Sequence, residues 1–492
     1  MAFGRSSISA TMISLLAMLA LPAAGEPASS LSFSEAQQQL LSRSDSLAAA
    51  RAGAQASRDQ ADAVKMLGGP SVYLDAQVLR YQKTVDLSLD PAKQLLQSSV
   101  DGFLAALPSL LPNVPSGVVD QISGQIGAGA SGALAGLPSS ARLQVEETIF
   151  HPTVAAVAPI YSGGLITATK AAAEAGVRQA DAEMASAADL AVLRLVQAYF
   201  GQQLAEQVLK VSTETRDGFE RHYQDALKIE REGFISKAQR LQVQVARNAA
   251  QRQYERAAAE YDTSRTVLAN LLSANAPVTP SSPLFVGGPL PPAQEFVEAG
   301  LAGQPELKKL DAMRDQATQG VKVAQATQRP KVFGFAEYNL NRDDALLIEP
   351  DWVFGVGVHY TLLSGINRSK VVSMARQRET QAAHAIQAAR TALATATQRA
   401  HQQVETARRQ YDLLAVNIEA AQENLRLQDL AFREGQASPA ELIDARVALS
   451  IAETQRLAAA YEYELALAEL LTASGQMQAY GEHVDRGRKV NP

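Results

Sequence analysis

The chain contains no cysteine. That absence excludes disulfides, removes the thiolate frameworks of most structural zinc sites, and leaves no cysteine to accept a lipid anchor. Tryptophan occurs once and aromatic residues make up 5% of the 492 residues, too few for a compact aromatic core throughout. Blocks of basic charge are also missing: the formal net charge is -6, with Lys and Arg interspersed among Asp and Glu. A nucleic-acid partner is therefore not expected. No segment offers 18 uninterrupted apolar residues, which excludes a spanning helix and leaves a β-barrel as the way into a bilayer.

What is present is alanine-rich sequence with 47% hydrophobic residues, the balance of long packed helices. At the N-terminus Arg5 precedes the apolar run Ile13 to Leu21, followed by the small residues Ala23, Ala24 and Gly25. This pattern predicts a signal peptide over residues 1–25 and export of a mature chain from near Glu26. Any membrane attachment must then come from the fold itself.

The chain repeats itself. REGFISKAQRLQVQVA begins at Arg231, and REGQASPAELIDARVA begins 202 positions later at Arg433. The same offset carries Ser162 onto Ser364, and seventy positions separate Gly163 from Gly233 and Gly365 from Gly435. Upstream, Leu47 matches Leu307 and Pro70 matches Pro330 at an offset of 260, so the first copy holds a 58-residue insertion between Pro70 and Ser162. Each copy reads as a helix, a proline, a variable region, a Ser-Gly turn and two long segments broken at Arg-Glu-Gly.

The long segments are helical. Leu165 to Arg231 holds no proline and would span about 100 Å as one helix. After the second break, Leu442, Ala445, Leu449, Ala452, Arg456, Ala459, Tyr463, Ala466 and Leu470 alternate by three and four, a coiled-coil seam. A second seam, Ile443, Val447, Ser450, Thr454, Leu457, Tyr461, Glu464, Ala468 and Leu471, runs beside it. Gly233 and Gly435 fall where each helix must reverse, because glycine takes the left-handed conformation that ends helices.

Strands appear in the variable regions. From Trp352, one face carries Trp352, Phe354, Val356, Val358, Tyr360 and Leu362, and the other carries Val353, Gly355, Gly357, His359 and Thr361. Eleven alternating residues with an apolar face and aromatics near both ends predict a lipid-facing strand. At the repeat offset, Phe150, Val154, Ala156, Ala158 and Ile160 form the matching face, and partner strands are expected from Ser71 and Lys331. Two hairpins give four strands, too few to close a membrane barrel, so the chain must oligomerise with two or more copies.

Rival chemistries find little support. Gly127, Gly129 and Gly132 spell GxGxxG, but no clear strand precedes them and Pro138 follows. The six histidines show no i, i+4 pair. Asn339, Asn341, Asp343 and Asp344 resemble half a calcium loop, yet Asp344 stands where glycine is needed and Pro350 where glutamate is. No enzyme activity, metal or cofactor is expected.

Taken in order, the two-copy layout, the opening LSFSEA near Ser34, the strands leading into YSGG and LLSG, and the glycine tips with their Leu/Val-Ala repeats resemble the TolC-type outer-membrane efflux proteins. The resemblance covers about Leu31 to Gly475. It implies a mainly α fold with a membrane β-barrel: a homotrimer whose twelve strands, four per chain, cross the outer membrane and continue as a long periplasmic α-helical barrel of coiled-coil hairpins. It implies a passive exit duct of a tripartite efflux or type I secretion system, with a periplasmic adaptor (membrane fusion) protein, an inner-membrane pump and outer-membrane lipid as partners. The implied layout is a first repeat over 26–275, with a β-hairpin over 70–162, an outer loop over about 91–140 and a helical hairpin over 164–275. A linker over 276–292 leads to a second repeat over 293–475, with a β-hairpin over 330–364 and a helical hairpin over 366–475, and a tail over 476–492 follows.

The resemblance also assigns sites. Arg231, Gly233, Phe234, Ile235 and Ser236, with Arg433, Gly435, Gln436, Ala437 and Ser438, match the adaptor-docking tips; helix reversal alone would explain the glycines but not the repeated serine and flanking Arg-Glu. Glu441 and Asp444 match an acidic ring at the periplasmic entrance, where the first copy has Gln239 and Gln242. Three residues apart, they share a helix face. Phe432 matches the entrance aromatic. Ala437 stands where some members carry an arginine that locks the closed entrance, which leaves Arg433 as a candidate substitute. The competing reading is a soluble periplasmic coiled-coil adaptor or scaffold, without lipid-facing strands.

Overall fold

The computed structural model describes residues 29–88, 140–341 and 350–490. The expected signal peptide, the GxGxxG stretch, most of the first outer loop, and Asp343 and Asp344 lie outside the described residues. Two compact units emerge, and both draw on both repeats: one gathers residues up to Asp45, Ala188–Phe296 and the chain from Thr397, the other Ser46–Ala187 and Val297–Ala396.

The second unit holds a four-stranded antiparallel sheet. Its strands β2 (Ser71–Ser88), β3 (Ser140–Tyr161), β6 (Lys331–Asn339) and β7 (Trp352–His359) lie in the order β2-β3-β6-β7. The central pairing joins the two repeats, with Val154 opposite Tyr338 and Ala156 opposite Ala336. Period-two alternation fixes which side chains share a face. Val332, Ala336 and Tyr338 fall on one face of β6, whereas Phe335 on the other is buried, which settles the register of that strand. Opposite Phe333 and Phe335 stand Gly357 and Gly355, where a Cβ would come within 2.6 and 2.9 Å of the rings. The glycines of β7 thus make room for the aromatics of β6.

β7 ends at His359, three residues short of the eleven-residue strand expected from alternation, so Tyr360 and Leu362 lie just beyond it. β2 and β3 are longer than their counterparts and continue pairing to Ser88 and Ser140, beyond the last residues that β3 shares with β6. Helices α2 (Asp45–Lys65) and α6 (Pro305–Ala326) precede β2 and β6. Val321 and Ala324 of α6 pack on Val372 and Ala375 of α7 (Arg368–Arg433).

The first unit concentrates the scarce aromatics. Phe33 of α1 (Phe33–Arg43) contacts Tyr199 and Phe200 of α3 (Leu165–Arg231), and Phe200 contacts Phe285. Tyr463 of α8 (Pro439–Ala473) and Tyr480 of α9 (Tyr480–Arg486) complete the cluster around Phe285. Residues 276–292, expected as a plain linker, carry two short strands. β4 (Val278–Pro280) pairs with β1 (Ser29–Leu31), and β5 (Phe285–Val286) pairs with β8 (Arg488–Lys489). Gln202 and Gln203 donate to the carbonyls of Val278 and Pro280 at 2.9 and 2.7 Å. The Phe285 amide donates to the fully buried Glu464 carboxyl at 2.6 Å, and burial raises that carboxyl well above the usual range. The C-terminal tail is likewise folded, with Tyr480 and Val484 buried.

Candidate functional site

Two helix reversals and one sheet face carry the candidate function. At the first reversal Gly233 has φ 87°, the Phe234 amide donates to Ile229 and the Gly233 amide to Glu230. At the second Gly435 has φ 71°, the Gln436 amide donates to Ala431 at 2.8 Å and the Gly435 amide to Phe432. Both are Schellman closures, which need a residue at positive φ. Three residues after each glycine a new helix is capped: Ser236 caps α4 (Lys237–Leu271) and Ser438 caps α8, in reciprocal capping boxes with Gln239 and Glu441 respectively.

The repeated serines therefore belong to the turn, a correction to the sequence argument that helix reversal could not explain them. The arginines also have local partners. Arg231 donates to the Leu227 carbonyl at 3.1 Å, and Arg433 pairs with Asp429 at 2.8 Å within its own helix. Ile235, Ala437 and the buried Phe432 pack in one apolar cluster with Val243, Leu442 and Ala445. What the tips present outward is Arg231, Glu232 and Phe234 on one hairpin and Arg433, Glu434 and Gln436 on the other, with Phe234 74% exposed.

Glu441 and Asp444 are both exposed on α8. The Ser438 amide and hydroxyl donate to the Glu441 carboxylate at 2.7 and 2.9 Å and hold it below the usual carboxylate range. Its carboxylate is thus committed to the cap while keeping its charge. Along α8 the first seam is buried from Leu442 to Leu470 except at Leu449 and Arg456, which are half-buried. Toward the tip the second seam instead opens on a cleft of about 620 Å³ between α4 and α8, with Val245, Val447 and Ile451 on its walls and Phe219 of α3 among its lining residues.

Just behind the tips lies a cluster that sequence reading did not find. His222 of α3 is buried, accepts a hydrogen bond from Arg446 of α8 at 3.0 Å, and sits 3.5 Å from the Asp429 carboxylate of α7. Gly218 leaves the space that the Arg446 guanidinium fills, since a Cβ there would lie 2.3 Å from it. His222 lies more than 200 positions from Asp429 and Arg446 and shares no period with them, so only the packed helices bring them together.

On the sheet, Trp352, Phe354, Val356, Val358, Tyr360 and Leu362 are all exposed, and so are Val72, Leu74, Val78, Phe150 and Ile160. Trp352 stacks on Phe354 at 5.3 Å. Past Val78 and Phe150, which pair, the exposed side chains become Arg80 and Glu146, joined at 2.7 Å. From Phe150 to Ile160 the apolar face of β3 covers about 33 Å along the strand, or about 25 Å at a 40° tilt, the height of an outer-membrane hydrocarbon band. No helix among the described residues is long and apolar enough to cross a membrane, and no group of three or more His, Asp or Glu among them could hold a metal.

Comparison with known proteins places this arrangement. No curated protein sequence matches the chain. Residues 297–476 match the family model of the outer membrane efflux protein. Among solved structures, a membrane protein from Pseudomonas aeruginosa superposes with TM-score 0.70 at 15% identity, covering 90% of this chain and 93% of that one. The CmeC outer membrane channel of Campylobacter jejuni gives 0.69 at 14%, covering 93% and 90%, and the open MtrE outer membrane channel of Neisseria gonorrhoeae gives 0.66 at 18%, covering 90% and 89%. Residues 297–476 thus resemble the outer membrane efflux protein family, and the chain as a whole has the fold of the TolC-type outer-membrane channels.

Proposed function

We propose that the protein is the outer-membrane exit duct of a tripartite efflux or type I secretion assembly, a homotrimer that passively conducts substrates received from a periplasmic adaptor and an inner-membrane pump. The observation that carries this reading is the sheet: four antiparallel strands with one apolar outward face and, among the described residues, β2 and β7 as its edges. In lipid an unpaired edge is intolerable, and four strands cannot close on themselves. Three copies give twelve strands with every edge paired. The exposed tip residues Arg231, Glu232, Phe234, Arg433, Glu434 and Gln436 are the surface offered to the adaptor. Glu441 and Asp444, brought together from three copies, would place six carboxylates around one axis and favour cations at the entrance.

Purified in detergent, the protein should have the mass of three chains and open ion-conducting pores in planar bilayers. Release with the soluble periplasm as a monomer would instead favour the coiled-coil scaffold.

A further inference from the structure

At one end of the sheet, where strands hand over to helices, four turns meet. The turn after α2 packs on the first turn of α3, because a Cβ on Gly68 would lie 3.3 Å from Ile166. Arg329, after α6, donates to the Gly163 carbonyl at 3.0 Å. Arg368, after β7, donates to the carbonyls of Thr327 at 3.1 Å and Thr361 at 2.7 Å. Three of the four turns are stitched through backbone carbonyls, and among the described residues neither arginine pairs with a carboxylate.

These turns leave large apolar side chains in the open: Met66 is 80% exposed, Leu362 85%, Leu363 92% and Ile366 67%. Ile160 near the end of β3 and Tyr360 just past the end of β7 are exposed as well. Glycine, serine or asparagine would serve a turn in water, so this collar of exposed apolar side chains calls for an apolar environment. Exposed Lys331 and Lys370 and half-buried Arg368 lie beside it. Apolar side chains with flanking cations are the composition of a surface seated at the boundary between acyl chains and phosphate headgroups.

We infer that this collar is a phospholipid-binding surface that seats the sheet at the membrane interface, its leucines and isoleucine in the upper acyl region and Lys331, Lys370 and Arg368 toward lipid phosphates. The inference rests on the membrane reading of the sheet. It assigns a separate anchoring surface to a chain that has no cysteine for an acyl anchor. A neighbouring copy is the weaker occupant. Copies would meet along the sheet edges β2 and β7, which Met66 precedes and Leu362, Leu363 and Ile366 follow, so a copy would cover those four but not Ile160 on the inner strand β3, which is exposed as well.

The single tryptophan makes the two readings separable. The full chain is reconstituted in vesicles of phosphatidylcholine and phosphatidylglycerol, with some lipids brominated either high on the acyl chain or near its middle. Native Trp352 reports on the strands. The double variant Trp352→Phe/Leu363→Trp reports on the collar. The collar reporter should lose emission most with lipids brominated high on the chain and little with aqueous iodide, and Lys331→Gln/Lys370→Gln added to it should weaken the quenching in anionic vesicles. Strong iodide quenching with no bromolipid effect would put the collar in water. Silence toward both quenchers would mean that protein, including another copy, covers it. Either outcome overturns the inference if Trp352 is still quenched by lipid, whereas loss of quenching at Trp352 itself overturns the membrane reading.

Discussion

His222 has the clearest pH sign in the molecule. Burial first, and the Arg446 charge second, lower it from 6.5 to about 4, while Asp429 and Asp225 oppose the shift and Arg221 adds to it. The unfolded chain takes up a proton near pH 6.5 and the folded hairpins resist until about 4. The contribution of His222 is therefore whole above 6.5 and is lost as the pH falls through that window. A charged imidazole would also face Arg446 directly. Hydrogen exchange around residues 222, 429 and 446, corrected for intrinsic rates, should be faster at pH 5 than at pH 7, and His222→Gln should flatten the difference. Equal protection at both values in the wild type would remove this account.

The elements divide into what a periodic pattern can reveal and what it cannot. Period two exposed the outward face from Trp352 to Val358, and the three-four alternation exposed the buried seam of α8, because each reports a face repeated along one segment. The strands inside residues 276–292 escaped notice: β4 and β5 are three and two residues long, and their partners lie more than 200 positions away. At the tips the residues were legible and one role was not, since a serine after a glycine looks the same whether it caps a helix or meets a partner. That role changes how the acidic pair must be tested. Replacing Glu441 by Ala would remove its half of the reciprocal capping box along with a charge. Glu441→Gln with Asp444→Asn keeps the capping oxygen, as Gln239 does in the first copy. Reversal potentials of this variant in a salt gradient should show reduced cation preference; an unchanged preference would end the ring proposal. Gly435→Ala, forced to φ 71°, should destabilise the second tip by about 1–2 kcal/mol and raise protease cleavage there, and wild-type resistance would count against a strained reversal.

For the whole molecule, the sheet predicts a depth profile. Val154 sits near the middle of the apolar face of β3, and Ile160 closes it. Val154→Arg should cost about 2–4 kcal/mol and Ile160→Arg about 0–1, read as the dissociation temperature of the assembled protein in bilayers. Equal costs at the two depths would argue against a lipid-facing surface. The compact units were beyond the reach of repeat spacing, because each is built from pieces of both copies. Phe33, near the start of the described chain, touches Tyr480, near its end, with ring centroids 5.2 Å apart. The cluster around Phe200 and Phe285 cannot close until Tyr480 arrives. Folding of this unit is governed by contacts of very high sequence separation, which are slow to form. A nascent first copy thus holds its aromatics open for as long as the second is still being delivered. Chains truncated before Tyr480 would leave that apolar surface permanently open, a substrate for holding chaperones or proteases.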